Sequence, residues 1–320
     1  MSRIFAALGP LKWAWLVLAL ATAASFLGPL WWVPALIVHF RPHLAAVSLV
    51  LLALGIVARR PLLAVLCLAT LAVNGAPLLP YIEGGAVTQM AGTSNLRLLA
   101  LNMHGAATNR QAFSQLIAAQ HPDLVMLTEM PGDMDRIVRE TPALPAYRVG
   151  EPPPSPWAVT LFSRWPVTRW SVDRGADGTA RVLSADICDT PLWRGCLRVV
   201  ALHAPRPFGN RARRQKEQLE IAADAAASAP DRRSVVAGDL NTTPWAPEFS
   251  ALRARGNLVD SALFHGGLSA TWLSRLPFVG LLIDHVLVSP EIGVLANKVG
   301  DDVGSDHLPV IVDLAVPPEP

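Results

Sequence analysis

Acidic side chains are almost missing from the first 89 residues. Glu83 is the only one, against Arg3, Lys12, Arg41, Arg59 and Arg60. The rest of the chain lacks the opposite thing, a positive excess, since 22 basic residues there meet 24 acidic ones. Without a broad positive field a polyanion cannot be held mainly by counterion release, which weighs against a general DNA binder. The formal charge of +2 for the whole chain therefore belongs to its first third. Cysteine is scarce, three residues in 320, and no internal repeat or long low-complexity tract is found. Solenoid and repeat architectures are thereby excluded. Pro152-Pro153-Pro154 is only a stiff local loop.

In place of charge, the first third holds three apolar runs, at about residues 13–33, 44–58 and 62–82. Each approaches the roughly 20 residues that cross a bilayer core as a helix. The middle run is short and reaches that length only by recruiting Pro34 to Phe40, so a re-entrant hairpin is the alternative there. A signal peptide is the competing reading of the first run, because Ala21-Thr22-Ala23 resembles a cleavage site. Two further apolar runs following directly favour a retained transmembrane anchor over residues 1–84, with helices at about 13–33, 36–58 and 62–82. Arg3, Lys12 and the Arg59-Arg60 pair mark the cytoplasmic ends, with Arg41 the one dissenting charge. Three crossings then put everything from about residue 85 outside. Trp13, Trp15, Trp31, Trp32 and Tyr81 fall near the run ends, where amphipathic rings favour the interface. Cys67 lies within the third run, whereas Cys188 and Cys196 end two strand-like segments. That spacing is compatible with a disulfide across a hairpin in an oxidising compartment, with two reduced thiols as the alternative.

Residues 85–95 read as a Gly/Thr/Ser-rich linker, and residues 96–315 as a second domain. Leu96 to Asn102 is a strand, Asn109 to Gln120 a helix with Phe113, Leu116 and Ile117 on one face, and Leu124 to Thr128 a strand. Strand-like segments then follow at 157–163, 167–172, 181–187 and 197–203, separated by turns, which suggests antiparallel neighbours. A helix over about 211–227, a strand at 234–237, a helix near 247–255 and strands near 281–288, 294–299 and 308–314 complete the pattern. Such α/β alternation implies two packed sheets covered by helices on their outer faces.

Polar residues punctuate these strands. Asn102, Glu129 and His203 close three of them, Asp239 and Asn241 follow a fourth, Asp284-His285 open another, and Asp306-His307 precede the last. Groups at strand ends are held on rigid scaffold and can meet on one rim. The stretches Leu98 to Asn102, Asp123 to Glu129, Gly238-Asp239-Leu240-Asn241, Ile283-Asp284-His285 and Ser305 to Val310 occur in that order. In this order they resemble the endonuclease/exonuclease/phosphatase superfamily, with its exonuclease III-like and DNase I-like nucleases, sphingomyelinases and inositol-phosphate phosphatases. Ser163-Arg164-Trp165-Pro166 and Thr271-Trp272 agree with it as well. Together with the N-terminal helices and His203-Ala204-Pro205-Arg206-Pro207, the pattern is similar to bacterial inner-membrane members of that superfamily.

The resemblance implies a four-layer α/β/β/α sandwich of the DNase I-like kind, and it implies roles. Phosphoesters are anionic and repel nucleophiles, so oxygen charge must be neutralised and a water positioned in line. Hard oxygen ligands suit Mg²⁺ or Mn²⁺. Glu129 is the principal candidate ligand, Asn102 adds an amide oxygen or orients it, and Asp306 belongs to a second metal site or stands behind the first. His307 is placed beside the phosphate with Asp284 fixing its tautomer. Asp239 orients or deprotonates water, Asn241 donates to the phosphoryl oxygens, and His203 contacts phosphate or leaving group. The proton acceptor is either the His307–Asp284 pair or Asp239.

Singly, each residue has an ordinary structural reading as a turn or cap; five ordered matches together favour the site. Arg164 is a candidate phosphate binder or a structural ion-pair partner. His104 is assigned first to surface or packing, with facing the site the alternative, His285 points away from the site by strand alternation, and Arg206, Arg211, Arg213, Arg214 and Lys216 read first as the solvated start of a helix, with steering of an anionic substrate the alternative. The expected function is hydrolysis of a phosphodiester, in a lipid head group or small molecule, by a multi-pass inner-membrane protein whose catalytic domain is extracytoplasmic. A metal-dependent nuclease is the alternative within the class, and a non-catalytic membrane protein binding a phospho-ligand is the alternative outside it. No obligate protein partner is evident.

Overall fold

The computed structural model describes residues 11–28, 31–85, 94–151, 157–264 and 268–319. Arg3, most of the 85–95 linker and Pro152-Pro153-Pro154 lie outside the described residues. The apolar third forms α1 (Lys12–Ser25), α2 (Trp32–Val38), α3 (Arg41–Val57), α4 (Pro61–Gly75) and, after a short 3₁₀ turn, α5 (Leu79–Glu83). Leu18, Leu51, Leu63 and Cys67 make a small core of their own. Some of the polar groups inside are hydrogen-bonded: the Asn74 amide donates to Thr22 Oγ1 at 2.9 Å, and Arg41 donates to the Val73 carbonyl at 3.1 Å. Large apolar side chains also face outward, among them Leu20, Val50, Val57, Val65 and Leu68.

Three long helices are not what the apolar runs form. The first run is helical for only 14 residues and passes into a turn at Phe26–Gly28. The second is broken between Val38 and Arg41 with a bend of 63°. Pro42 sits in the first turn of α3, where a missing N–H costs nothing, so a new helix begins there instead of continuing α2. One helix among the described residues, Pro61–Glu83, is long and apolar enough to cross a membrane, and up to two are if the bent pair counts as one span.

The remaining chain builds two six-stranded sheets from β1 (Ser94–Asn102), β2 (Leu124–Thr128), β3 (Tyr147–Gly150), β4 (Val159–Ser163), β5 (Arg169–Asp173), β6 (Val182–Cys188), β7 (Cys196–His203), β8 (Ser234–Asp239), β9 (Val259–Asp260), β10 (Asp284–Val288), β11 (Gly293–Val299) and β12 (Val310–Val316). One sheet runs β11-β12-β1-β2-β4-β3 and the other β5-β6-β7-β8-β10-β9. Each has a single parallel pair at its centre, β1/β2 in one and β7/β8 in the other, flanked by antiparallel neighbours.

Strand alternation decides where each side chain goes. Leu98, Ala100, Leu124 and Met126 of the first sheet meet Leu183, Val199, Ala201 and Val235 of the second in one inter-sheet core. Their neighbours Leu99, Leu101, Val125 and Phe162 face outward onto α6 (Arg110–Gln120) and α7 (Met134–Glu140). Val200, Leu202 and Val236 do the same for α8 (Arg211–Ala227) and α9 (Pro247–Gly256). Layers therefore run α/β/β/α, a DNase I-like fold. Cys188 and Cys196 are directly opposite in the β6/β7 register and form a disulfide.

Candidate active site

Parallel pairing brings two strand ends to one place in each sheet. Asn102 stands beside Thr128 at the ends of β1 and β2, so that Glu129 is the next residue out. His203 stands beside Asp239 at the ends of β7 and β8. Because the sheets are stacked, the two pairs converge. The Asn102 amide nitrogen donates to Glu129 Oε1 at 3.1 Å and to Asp239 Oδ2 at 3.0 Å, bridging the sheets. Its oxygen accepts from the His104 backbone N–H at 3.0 Å, which fixes the amide's orientation. Asn102 thus orients two carboxylates with its nitrogen.

Backbone conformation aims the groups. Glu129, His104 and Asn241 all have φ near +47°, the left-handed region that costs non-glycine residues energy and clusters at functional sites. Gly238, with φ +134°, is required for a different reason: a Cβ there would collide with the Leu202 carbonyl oxygen of the adjacent strand. Asn241 is held by its own N–H to Asp239 Oδ1 at 2.9 Å and by its amide to the Ala204 carbonyl at 2.9 Å.

The second sheet adds a buried charge relay. β8 and β10 pair so that Asp239 faces Asp284. Asp284 Oδ2 lies 2.8 Å from His307 Nδ1, and His307 Nε2 points toward Asp239 Oδ2 at 3.8 Å. Thr271 Oγ1 accepts the backbone N–H groups of Ile283 and Asp284, and Ser305 Oγ accepts that of His307 while donating to the Asn102 carbonyl. Burial alone would push the His307 imidazole toward neutrality. The facing charges of Asp284 and Asp239 and the hydrogen bond from Asp284 outweigh it and hold the group up at about 9. Asp239 is raised above the usual carboxylate range, first by burial and then by Asp284, against the pull of His307, His203 and the Asn241 N–H.

His203 Nε2 sits 3.5 Å from both Glu129 Oε1 and Asp239 Oδ2, with Trp157 stacked on its ring at 5.1 Å. Asp306 is at the rim, 2.9 Å from His104 Nδ1 and 4.0 Å from His307 Nε2, and accepts from Trp272 Nε1 at 3.2 Å. His285 turns away from the cluster: its Nε2 meets the Thr242 carbonyl at 2.9 Å. Of the basic group after His203, Arg206 lies over the Trp272 ring, and Arg211 and Arg214 line a cavity of about 330 Å³ shared with Trp157 and Pro205.

Arg164 is the exception, and the expectation that it binds phosphate is corrected. It follows Ser163, which pairs with Leu124 at the start of β2, the end opposite Glu129. There it bonds Asp123 Oδ1 at 3.0 Å, a structural pair at the far edge of the sheet. Trp157 was recognised only as a strand start, and nothing in its neighbours' periodicity signals the stacking on His203.

Among the described residues two sets of side chains have the chemistry to hold a cation: Glu129, His203 and Asp239, and Asp239, Asp284 and His307, with ligand atoms within 4.8 Å of one another in each. Glu129 and Asp239 supply the hard oxygens that a Mg²⁺-like ion prefers.

A sequence model described as the Endonuclease/Exonuclease/phosphatase family matches residues 92–307. No curated protein matches the chain. Among solved structures, an endonuclease/exonuclease/phosphatase from Beutenbergia cavernae superposes with a TM-score of 0.57 at 24% identity, covering 70% of this chain and 72% of that one. The mannosyl-6-phosphatase Bt3783 of Bacteroides thetaiotaomicron gives 0.56 at 16% identity, covering 68% and 99%. The human Nocturnin catalytic domain, with bound sulfate, gives 0.55 at 15% identity, covering 73% and 98%. At these identities the likeness is one of fold.

Proposed function

Since the chain belongs to the endonuclease/exonuclease/phosphatase family, we propose that it is a divalent-metal-dependent phosphoesterase. We propose further that its substrate is a phosphodiester of a lipid head group or small molecule, and that its N-terminal helices hold it in a bacterial inner membrane. One observation carries the hydrolase reading: Asn102, Glu129, His203, Asp239, Asp284 and His307, drawn from both sheets, face one another across a single rim.

In that reading Glu129, oriented by Asn102, would hold Mg²⁺ or Mn²⁺, which would supply neutralisation of charge on the phosphoryl oxygens. Asp239, buried and raised, accepts a proton from water as the water oxygen bonds to phosphorus and the ester P–O bond breaks. His307, charged at neutral pH and oriented by Asp284, donates through Nε2 to a phosphoryl oxygen. Asn241, with one amide hydrogen engaged by Ala204, offers the other to the same group. His203, wedged between Glu129 and Asp239, supplies a proton toward the departing oxygen.

Membrane attachment is supported by the 23-residue helix Pro61–Glu83 and by the outward apolar side chains of α1, α3 and α4. A lipid substrate is supported by the segment after Trp272, where Leu276 and Phe278 are exposed (Phe278 at 76%) while Ser274 N–H bonds the Asp306 carbonyl at the rim. The Cys188–Cys196 disulfide supports an oxidising compartment for the catalytic domain.

The test uses the full chain in detergent with Mg²⁺, assayed on bis-p-nitrophenyl phosphate, phospholipid vesicles and DNA. Hydrolysis abolished by chelation and by Asp239→Ala and His307→Ala is expected, with the vesicle substrate preferred. Turnover of DNA alone selects the nuclease reading, and no turnover above those variants selects a non-catalytic phospho-ligand binder. A C-terminal alkaline phosphatase fusion that stays inactive in cells would overturn the exterior placement.

A further inference from the structure

We infer that the N-terminal helices are part of the active site's construction: His39 and Tyr81 are positioning residues for the loop Asn241–Trp245. This loop follows β8 directly, begins with a site residue, and buries Thr242 and Thr243 completely. The second domain holds its start through Asp239, Ala204, Gln215 and His285, and the helices hold its end.

His39 sits at the break between α2 and α3 and is itself buried. Its Nδ1 lies 2.9 Å from Thr243 Oγ1 and 3.4 Å from the Thr243 backbone nitrogen. A backbone N–H can only donate, so Nδ1 is the acceptor for both and the ring carries its proton on Nε2. The His39 carbonyl in turn accepts from Trp245 Nε1 at 3.2 Å. One residue thereby grips the loop at two positions.

Tyr81, in α5, holds the loop's other side. Its ring stands edge-on to Trp245 at 6.4 Å, and its hydroxyl donates to Asp260 Oδ2 at 3.1 Å. Asp260 lies 3.9 Å from His285 Nδ1, and His285 Nε2–H donates to the Thr242 carbonyl at 2.9 Å. Thus the histidine that faces away from the chemistry holds the residue next to Asn241, with the Tyr81-bound Asp260 carboxylate behind its ring. The partners are 204 and 179 positions apart in sequence, and a passive tether would need none of these buried, directional contacts. Loop placement matters because displacing a reacting group by about 1 Å costs on the order of 100-fold in rate.

The kinetic half rests on the hydrolase reading, and the structural half does not. The experiment compares the full chain in detergent with His39→Ala, His39→Asn, Thr243→Val, Trp245→Phe and Tyr81→Phe. It reads amide hydrogen exchange over residues 240–245, and kcat and KM for bis-p-nitrophenyl phosphate with Mg²⁺. Expected for His39→Ala are faster exchange in that loop with unchanged exchange in β6 and β7, and a kcat lower by about 10- to 100-fold with little change in KM. His39→Asn, which keeps an acceptor, recovers part of both. Should His39→Ala fail to fold, Thr243→Val, which removes one hydrogen bond at nearly constant shape, and Trp245→Phe, which removes one together with part of the ring, carry the same expectation. Unchanged exchange over 240–245 overturns the grip, and faster exchange with unchanged kcat overturns the positioning role. Inactivity of the wild-type chain would sink the hydrolase reading while the exchange result still decides the grip.

Discussion

The two sheets solve the same placement problem with different surroundings. Both end a central parallel pair at the site, Asn102 and Glu129 in one, His203 and Asp239 in the other. Yet the Glu129 side chain keeps 21% exposure while that of Asp239 keeps 2%. Among the described residues the ion pair of Glu129 is with His203 of the other sheet, whereas Asp239 faces Asp284 on β10 and stands near His307. Burial and then the facing Asp284 raise Asp239, and water is excluded from the buried set. The first sheet offers an accessible ligand and the second a dry place for moving protons.

The sharpest way to break this contrast is Asp239→Asn, which keeps shape and removes the acceptor. A fall in kcat of about 10³-fold is expected, not recovered at any Mg²⁺ concentration, by steady-state assay on the substrate identified. Glu129→Gln should cost less, about 10- to 100-fold, and should recover as Mg²⁺ is raised, because its loss is one of affinity. Equal behaviour of the two variants would erase the division of labour.

A pH profile sharpens the comparison further. His307 is held at about 9, above its ordinary 6.5, so it is charged at neutral pH. Activity that needs the imidazolium is lost as pH rises through about 9, and Asp284→Asn should move that limb to lower pH. Stability has the same sign: the contribution of this group is complete below 6.5 and vanishes between 6.5 and about 9, measurable as urea midpoints across that window. The smallest effect belongs to Arg164→Ala. Its pair with Asp123 is 69% exposed on the arginine side, so unfolding should shift by about 0.5 kcal/mol with kcat and KM unaltered.

How much of this was legible in sequence follows from what kind of signal each feature leaves. Asn102, Glu129, His203 and Asp239 each close a short apolar run, and alternation within those runs separates the inter-sheet core from the helix-facing layers, so strand ends and layer order can be read directly. Long-range pairing leaves no such trace. That Asp239 faces Asp284, that Trp157 stacks on His203 and that Arg164 lies at the wrong end of its sheet are all matters of register. Hydropathy alone also overstates continuity. The first run counted as 13–33 stops being helical at Ser25, and the second is broken beside His39, whose value as a hinge-borne ligand for Thr243 is invisible in a window of apolar residues.

Gly238 has no chemistry to offer, and for that reason its constraint reaches far. Any side chain there would pry β7 from β8 at the step just before His203 and Asp239. Every reactive atom would still be present in such a variant, and only their spacing would be gone. A saturation scan scored on activity should therefore show this position as intolerant as the carboxylate beside it, with alanine no gentler than leucine.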